Sequence, residues 1–412
     1  MKNKKILITS LIILVILIFI CTIIIFLNIN KDKLVPTAEE LKTTELQAKD
    51  VVSISKIERY ASQESSKNDE SVYLVKDEAM LTLRNSSVSK YGDTTNLNNT
   101  KNLGQNAALV TSYNSISQIY NSNITTDGEG ASGIYGHGQK SSVEIADTSI
   151  ETLSSSSSAI IAAFHSQING RNLTINTKSK SSPALETITE DSSITIEDST
   201  IETNSSASPI IYAQGTVALK NTTGTANGSR IAILKGNANV TLNQVTSIVS
   251  GGSGEENFKE SGILIYGNES DHATFTALNS SLNINQSLPY YNIAPLFIIS
   301  NTKATINLTN TPLNYGSNIF INITSSKVNI NLKKQTIEGD IIGDAKTKLK
   351  LTLKDNSSLN SIIPSNTDLS LDKTSSITLK QDTYLNSLDN DDETNSNINF
   401  NNYKLFVNGH KV

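Results

Sequence analysis

Apolar and polar residues alternate along most of this chain in one short phrase: apolar, x, apolar, x, Asp or Asn, Ser or Thr, x, apolar. The phrase is read at Leu81, Leu83, Asn85 and Val88, then at Val143, Ile145, Asp147 and Ile150. It returns at Ile194, Ile196, Asp198 and Ile201, at Phe275, Ala277, Asn279 and Leu282, and at Ile306, Leu308, Asn310 and Leu313. Weaker copies open at Ser117, Leu173, Val217, Val240, Ile330, Leu351 and Leu369. A repeat of roughly 20 to 30 residues is the mark of a stacked solenoid.

Period-two alternation puts one face of a strand inward and the other in solvent. The inward residues are mainly Ile, Leu and Val, which suit a pleated surface. The Asp or Asn that follows tolerates left-handed angles and bonds nearby backbone, so it marks a turn. A continuous apolar run precedes most copies, as at Gly133-Ile134-Tyr135, Ala159-Ile160-Ile161, Pro209-Ile210-Ile211 and Leu296-Phe297-Ile298-Ile299. Each repeat therefore predicts three strands, before, within and after the phrase. That is one coil of a parallel β-helix. About twelve coils at ~4.8 Å each give a solenoid on the order of 55–60 Å long. A β-sandwich series needs two-residue hairpin turns at fixed places. Asp127-Gly128, Asn169-Gly170, Asn227-Gly228 and Asn408-Gly409 are too few and too scattered for that.

The ends of the chain break the pattern. Ile6–Leu27 is a nearly unbroken apolar run, long enough at 1.5 Å per residue to span a ~30 Å hydrocarbon core. It exceeds the usual apolar region of a cleaved signal peptide, and no Ala-x-Ala site follows. It is expected to be a transmembrane signal anchor. Lys2, Lys4 and Lys5 favour a cytoplasmic stub at 1–5, leaving the bulk of the chain extracellular. The charged segment 28–70, with Pro36, reads as a polar stalk, partly helical or disordered. The β-helix is expected over 71–387 and a C-terminal cap over 388–412, where Ile398, Phe400, Tyr403, Leu405 and Val407 fold over the open end.

Composition narrows function mainly by exclusion. Net charge is −5, and basic residues cluster only at Met1–Lys5 and Lys31–Lys33, so no nucleic-acid partner is expected. Cys21 is the only cysteine, so the solenoid must hold without an internal disulfide. The Asn85, Asn121, Asp147, Asp198, Asn221, Asn279 and Asn310 column reads as structural stacking from coil to coil. Glu186, Glu190, Asp191, Glu197, Asp198 and Glu202 crowd one coil and read as a solvated acidic face, with Asp198 in the turn column. Asp389, Asp391, Asp392 and Glu393 lack the spacing of a calcium loop and read as a solvated turn. Tryptophan is absent and aromatics are 5%. Tyr266, Tyr290 and Tyr291, associated with the long inserts Ser250–Ser261 and Gln286–Ile293, are the candidate ligand-binding aromatics. Their alternative is loop tyrosines packed on the solenoid.

With phrase, preceding strand and tail together, the chain resembles exported right-handed parallel β-helix proteins of Gram-positive bacteria, in the pectate-lyase-like superfamily. The likeness rests on Ala294–Thr302 running into Ala304–Thr311, continued by Thr336–Ile341 and Leu349–Leu353, and covers 71–412. It implies a single right-handed β-helix and an adhesin-like or carbohydrate-binding role, by analogy of fold. Polygalacturonases of that fold carry a Gly-His-Gly element beside paired aspartates. Here Gly136-His137-Gly138 has no such pair before it, and Arg230-Ile231 is followed by Ala232 rather than lysine. The Gly-His-Gly element is expected to be a turn between strands. No catalytic residue, cofactor or metal ligand is assigned. Cell-surface or host glycans, or other surface proteins, are the expected partners. A polysaccharide lyase or hydrolase and a structural surface spacer are the alternatives.

Overall fold

A computed structural model of the chain describes residues 37–252 and 258–412. Among them the chain is an all-β parallel solenoid. Three sheets run along it, with 12, 14 and 10 strands, and sheets of four and three strands complete its C-terminal part. Here A, B and C denote the three long sheets. Each coil visits A, then B, then C. The coil at Ile134–His137, Ser142–Ala146 and Ser149–Thr152 contributes one strand to each. Pairing is parallel and in register from coil to coil, as in Val143↔Ile168, Ile168↔Ile194 and Ile194↔Val217. Among the described residues the sole antiparallel pair is Leu405–Val407 with His410–Lys411, a closing hairpin.

The repeated phrase maps onto the coil as expected. Its first two apolar residues are the inward positions of sheet B, the Asp or Asn is the B–C corner, and the last apolar residue is inward in sheet C. The inward columns form one continuous core from Val52 to Leu405. Phe275, Phe297 and Phe320 pack edge-on through it, with ring centroids 5.5 and 5.8 Å apart. Sheet A is buried on both faces, which is why its strands read as continuous apolar runs. Its outer face carries two further clusters. Leu74, Val110, Tyr135, Ile161 and Ala163 lie under Leu46, Phe164 and Ile188; Tyr212, Ile233, Leu264 and Ile298 lie under Phe258 and Tyr266.

The corners are held by polar relays. Asn85, Asn121, Asp147, Asp198, Asn221, Asn279 and Asn310 all sit at φ between 46° and 54°, the left-handed region. Their side chains bond along the axis: Asn221 Nδ2 donates to Asp198 at 2.7 Å and Asn310 Nδ2 to Asn279 at 2.8 Å. The next residue is a buried hydroxyl. Ser199 Oγ accepts the Leu173 N–H of the previous coil at 2.9 Å and donates to the Glu197 carbonyl at 2.6 Å. Ser280 repeats the arrangement on Val245 and Leu278. The corner hydroxyls of Ser86, Ser122, Thr148, Ser199 and Ser280 therefore each satisfy a backbone donor that no sheet ladder reaches.

Several expectations need correction. Coiling starts at Ala48, inside the segment expected to be stalk, after a helix at Ala38–Thr44. Strands Ala48–Val52, Lys56–Arg59 and Ser62–Ser65 pair with the coil that follows. Apart from Val52, which faces the core, this first coil inverts the pattern. Asp50, Lys56 and Glu58 share a face with the core residues Tyr73, Leu81 and Leu83, while Ile54 and Ile57 point out. Lys56 Nζ lies 2.6 Å from Asp50 and 2.8 Å from Glu58, and the Tyr73 hydroxyl donates to Glu58. The cluster plugs the core with charge at its first edge, a device that discourages further strand addition. A second correction concerns Leu173, which follows a corner rather than opening a copy. The true copy is Ile168, Gly170, Asn172 and Ile175. Gly170 fills an apolar slot because a Cβ there would stand 2.6 Å from Leu173 Cδ1 and 2.7 Å from Ile196 Cδ1. At the other end, Ser387–Asn390 is a further parallel strand, and Leu405 is fully buried under the closing hairpin. The expected anchor at 6–27 lies outside the described residues. Among those described, no helix is long and apolar enough to cross a membrane.

One inward position is anomalous. Lys90 stands where Ser65, Thr126, Thr152, Thr177 and Thr203 stand on their coils. Its ammonium is fully buried and donates to the Lys67 and Gly92 carbonyls, both at 2.8 Å. Burial pushes the amine down to about 8, against the pull of Glu70, Asp93 and Asp69.

Two outcomes are expected. Asn279→Leu loses the side-chain bond from Asn310 and forces a branched side chain into left-handed backbone. It should lower stability by about 1–3 kcal/mol in urea denaturation. For Lys90, the folded amine titrates below its unfolded value of about 10.4, so the unfolded chain holds more protons between about pH 8 and 10.4. Stability from this group therefore rises with pH through that window, by up to about 3 kcal/mol. Denaturation curves at pH 7.5 and 10 should show the rise in the native chain relative to Lys90→Met.

Candidate functional site

A single outward column crosses sheet A in strict register: Tyr135, Ile161, Glu186, Tyr212, Ile233, Leu264 and Ile298. Its one charged member is Glu186, buried between Ile161 and Tyr212. Over this column lies an open cleft of about 370 Å³. Ile161, Glu186 and Tyr212 line its floor, and Ser132, Ser156, Ser158, Ser181, Pro183 and Ala207 line it from the C–A corners.

The opposite wall is an insertion. The coil that runs from Tyr73 to its partner Leu109 is longer than its neighbours, and the excess folds as the helix Leu97–Leu103. Asn96 caps it by accepting from Asn98 N and Asn99 N, and Gly104 ends it at φ 80°. Gly104 is required twice over, since a Cβ there would also meet the Tyr135 ring at 2.6 Å. The Tyr135 hydroxyl donates to the Lys101 carbonyl at 2.7 Å and ties the helix down. Lys101 then reaches over the floor. Its ammonium is 3.2 Å from Glu186 and 5.3 Å from the Tyr212 ring centroid. Ser158 Oγ donates to the other Glu186 oxygen at 2.7 Å. Burial, reinforced by Glu186, holds the Tyr135 hydroxyl well above the usual phenol range.

The tyrosines singled out from sequence separate. Tyr266 ends the strand Ile263–Tyr266, where its hydroxyl is 3.1 Å from that of Tyr212. Its ring lies 5.3 Å from Phe258 and 5.8 Å from Lys235 Nζ. It therefore backs the cleft residue Tyr212 from beside the insert rather than from within it. Tyr290 and Tyr291 form a 3-10 turn, Pro289–Asn292, at the entering edge of sheet A. Tyr291 donates to Asn314 Oδ1 at 2.9 Å and lies over Gly316. Tyr290 lines a smaller hollow with Ser206, Asn227 and Ser250.

Other candidates resolve structurally. His137 is strand, not turn, and is fully buried between Tyr135 and Phe164, with ring centroids 6.1 and 4.6 Å away. Arg230 is buried and donates to the Ser261 and Lys259 carbonyls, fastening the base of the insert. The acidic residues expected on one face lie on several. Glu186 is on sheet A, Asp191 at the A–B corner bonded to Thr189, Glu197 on sheet B and Glu202 on sheet C. The left-handed corner at Asp198 turns the chain between the last two. Asp392 accepts from Thr394, Ser396 and Asn397, which holds its carboxyl well below the usual range. Among the described residues no three His, Cys, Asp or Glu side chains converge as a metal site.

Sequence reading missed Lys101, Ser158 and Tyr212. It also missed a second hollow, of about 430 Å³, on sheet B. There Tyr120, Ala146 and Arg171 follow one another in register, Arg84 stacks on Tyr120 at 4.6 Å, and Glu144 accepts from the Tyr120 hydroxyl at 3.3 Å. One signal was available for Glu186: it is the charge in a run whose neighbours on other coils are Ile and Tyr. Comparison of the sequence with protein-family models and with curated proteins finds no match.

Chemically, the sheet A cleft offers an aromatic and aliphatic floor, one carboxylate, one ammonium and a row of hydroxyls. Glycoside hydrolysis uses two carboxyl groups flanking the bond. Glu186 is the one carboxylate among the residues that line the cleft. Tyr135→Phe removes the anchor of the insert. Amide exchange in Leu97–Leu103 should then accelerate about fivefold, the equivalent of ~1 kcal/mol, with exchange in sheet B unchanged.

Proposed function

We propose that the chain is a cell-surface glycan-binding protein: a β-helix held at the membrane by residues 6–27, facing outward, and acting without catalysis. The observation that carries this reading is the Ile161–Glu186–Tyr212 column beneath Lys101, open along a row of serine hydroxyls. Sugars are bound by stacking their C–H faces on aromatic rings while charged and hydroxyl groups take the ring oxygens. Tyr212, backed by Tyr266, supplies the ring, and Glu186, Lys101 and Ser158 supply polar partners. In the same proposal the solenoid winds right-handed, as parallel crossovers overwhelmingly do. Exported β-helix proteins of Gram-positive bacteria, in the pectate-lyase-like superfamily, are the kin suggested by the repeat phrase. Adhesion to cell-surface or host glycans, or to other surface proteins, is the role that follows. Tyr290 and Tyr291 remain candidate contacts for a longer ligand.

A lyase is the second reading. Lys101 and Glu186 meet at 3.2 Å in a cleft, an arrangement that could also serve proton transfer. The test is glycan-array binding by the purified full chain, with turnover of acidic polysaccharides measured alongside. Binding without turnover is the expected result. Tyr212→Ala and Glu186→Gln should each weaken the best glycan at least about tenfold, or ~1.4 kcal/mol, with thermal stability checked in parallel. Turnover lost in Glu186→Gln would establish the lyase instead. Neither binding nor turnover would leave a structural spacer.

A further inference from the structure

Towards the C-terminal end, sheet B widens. Its strands have five residues at Thr216–Lys220 and Asn239–Asn243, and seven at His272–Leu278, Lys303–Thr309, Lys327–Lys333 and Lys348–Lys354. The added outward position is His272 on the first long strand and lysine on the next three. Lys303, Lys327 and Lys348 therefore stack in register. At the far end of the same strands Lys333 stacks on Lys354, and Lys350 stands between the two columns. All are exposed except Lys303, which is half-buried. Rungs ~4.8 Å apart and strands ~20 Å long place these ammoniums on one flat face. The outward positions between them are Thr305, Asn307, Asn329, Asn331 and Thr352. The outward positions of these three strands hold no carboxylate, arginine or aromatic ring.

Like charges on adjacent strands destabilise a sheet. Elsewhere sheet B avoids this: Arg171, Glu197 and Lys220 alternate in sign down one column, with Lys220 3.6 Å from Glu197. On the lysine face the nearby carboxylates are engaged. Asp344 accepts from Ser325 and Thr347, and Asp368, one rung beyond Lys350, accepts from Ser387. Among the described residues, Lys333 is the one member of the face in an ion pair, with Asp355 at 3.1 Å. Stacked cations that the fold leaves without counter-charge call for counter-charge from outside.

We infer that this face of sheet B binds a linear sulfated glycan, at a site separate from the sheet A cleft. Lysine ammoniums are point charges without the planar fork of arginine, so they suit a polymer carrying many oxyanions better than one bidentate group. With no aromatic ring on the face, the bases of a single-stranded nucleic acid have nothing to stack on. The threonines and asparagines between the lysines donate to and accept from sugar hydroxyls. No linear cluster of basic residues announces the site. Each strand brings one to three lysines, and stacking in register gathers them.

The probe is a heparin hexasaccharide titrated into the purified full chain, beside the same hexasaccharide stripped of sulfate. The sulfated probe should bind, and lose at least about tenfold in affinity between ~50 and ~300 mM salt. Lys327→Gln with Lys348→Gln should weaken it at least about tenfold, while the low-salt thermal midpoint holds or rises because repulsion is relieved. Lys178→Gln with Lys220→Gln, the same charge change off this face, should leave binding as it was. So should Tyr212→Ala in the cleft. Absence of binding, or equal binding of the stripped probe, would overturn the inference. Loss of binding in Tyr212→Ala but not in the Lys327–Lys348 variant would place the glycan in the cleft, leaving that reading intact and this one refuted. Tighter binding of oligothymidylate or anionic vesicles through the same lysines would assign the face to nucleic acid or membrane instead.

Discussion

Parallel stacking in register is the constraint from which the rest of this structure follows. Every inward side chain lies on its counterpart one coil away, and most backbone donors find their acceptors on a neighbouring coil. No coil can bury its apolar face or satisfy its amides alone. Residue choice at one position is therefore tied to the same position on adjacent coils. The Val143, Ile168, Ile194 and Val217 column shows this for packing. The Ser86, Ser122 and Thr148 column shows it for hydrogen bonds, since Ser122 Oγ and Thr148 Oγ1 each accept from the coil before.

The same constraint explains why the corners are so uniform. A turn between two strands of one coil leaves amides that belong to neither ladder. A left-handed Asn or Asp sets the angle, and the hydroxyl after it bridges to the preceding coil. Both residues are polar, small and interchangeable within their type, so they recur while the strands between them vary. Where the corner residue is Gln244 or Lys334, the left-handed angle persists at 57° and 49°, so the stacked coils impose it even on side chains less suited to it.

The coils from Met80 onward were legible because their periodicity and their turns agree. The exceptions have physical reasons. The Ile168–Gly170–Asn172 copy was hidden because Leu173 swings into the space that Gly170 vacates, and the phrase then seemed to start at Leu173. The first coil was hidden because its apolar residues face outward, so its alternation reads with the wrong phase. The candidate site was far less legible. Periodicity specifies which residues face in, and the cleft is made from those that face out. Lys101 comes from an insertion more than eighty residues before Glu186, and Tyr212 reads as one more apolar strand residue. Tyr266 was found because a loop of unusual length stands beside it. His137 drew notice for its neighbours in sequence, yet strand geometry buries it.

The two ends of the solenoid manage the same hazard by different means. An open coil exposes strand edges that invite another chain. At the C-terminal end the hairpin Leu405–Val407 with His410–Lys411 turns the last edge antiparallel, pairs with Thr383–Leu385 and buries Leu405 in the core. At the first coil no strand among the described residues pairs with the outer edges, and the core behind them is closed with charge instead. A charged plug closes the core without occupying the outward positions, so the outward face of that coil is free to carry isoleucines. The inversion that made this coil hard to read is thus what closes the core with charge and leaves Ile54 and Ile57 exposed on the outward face.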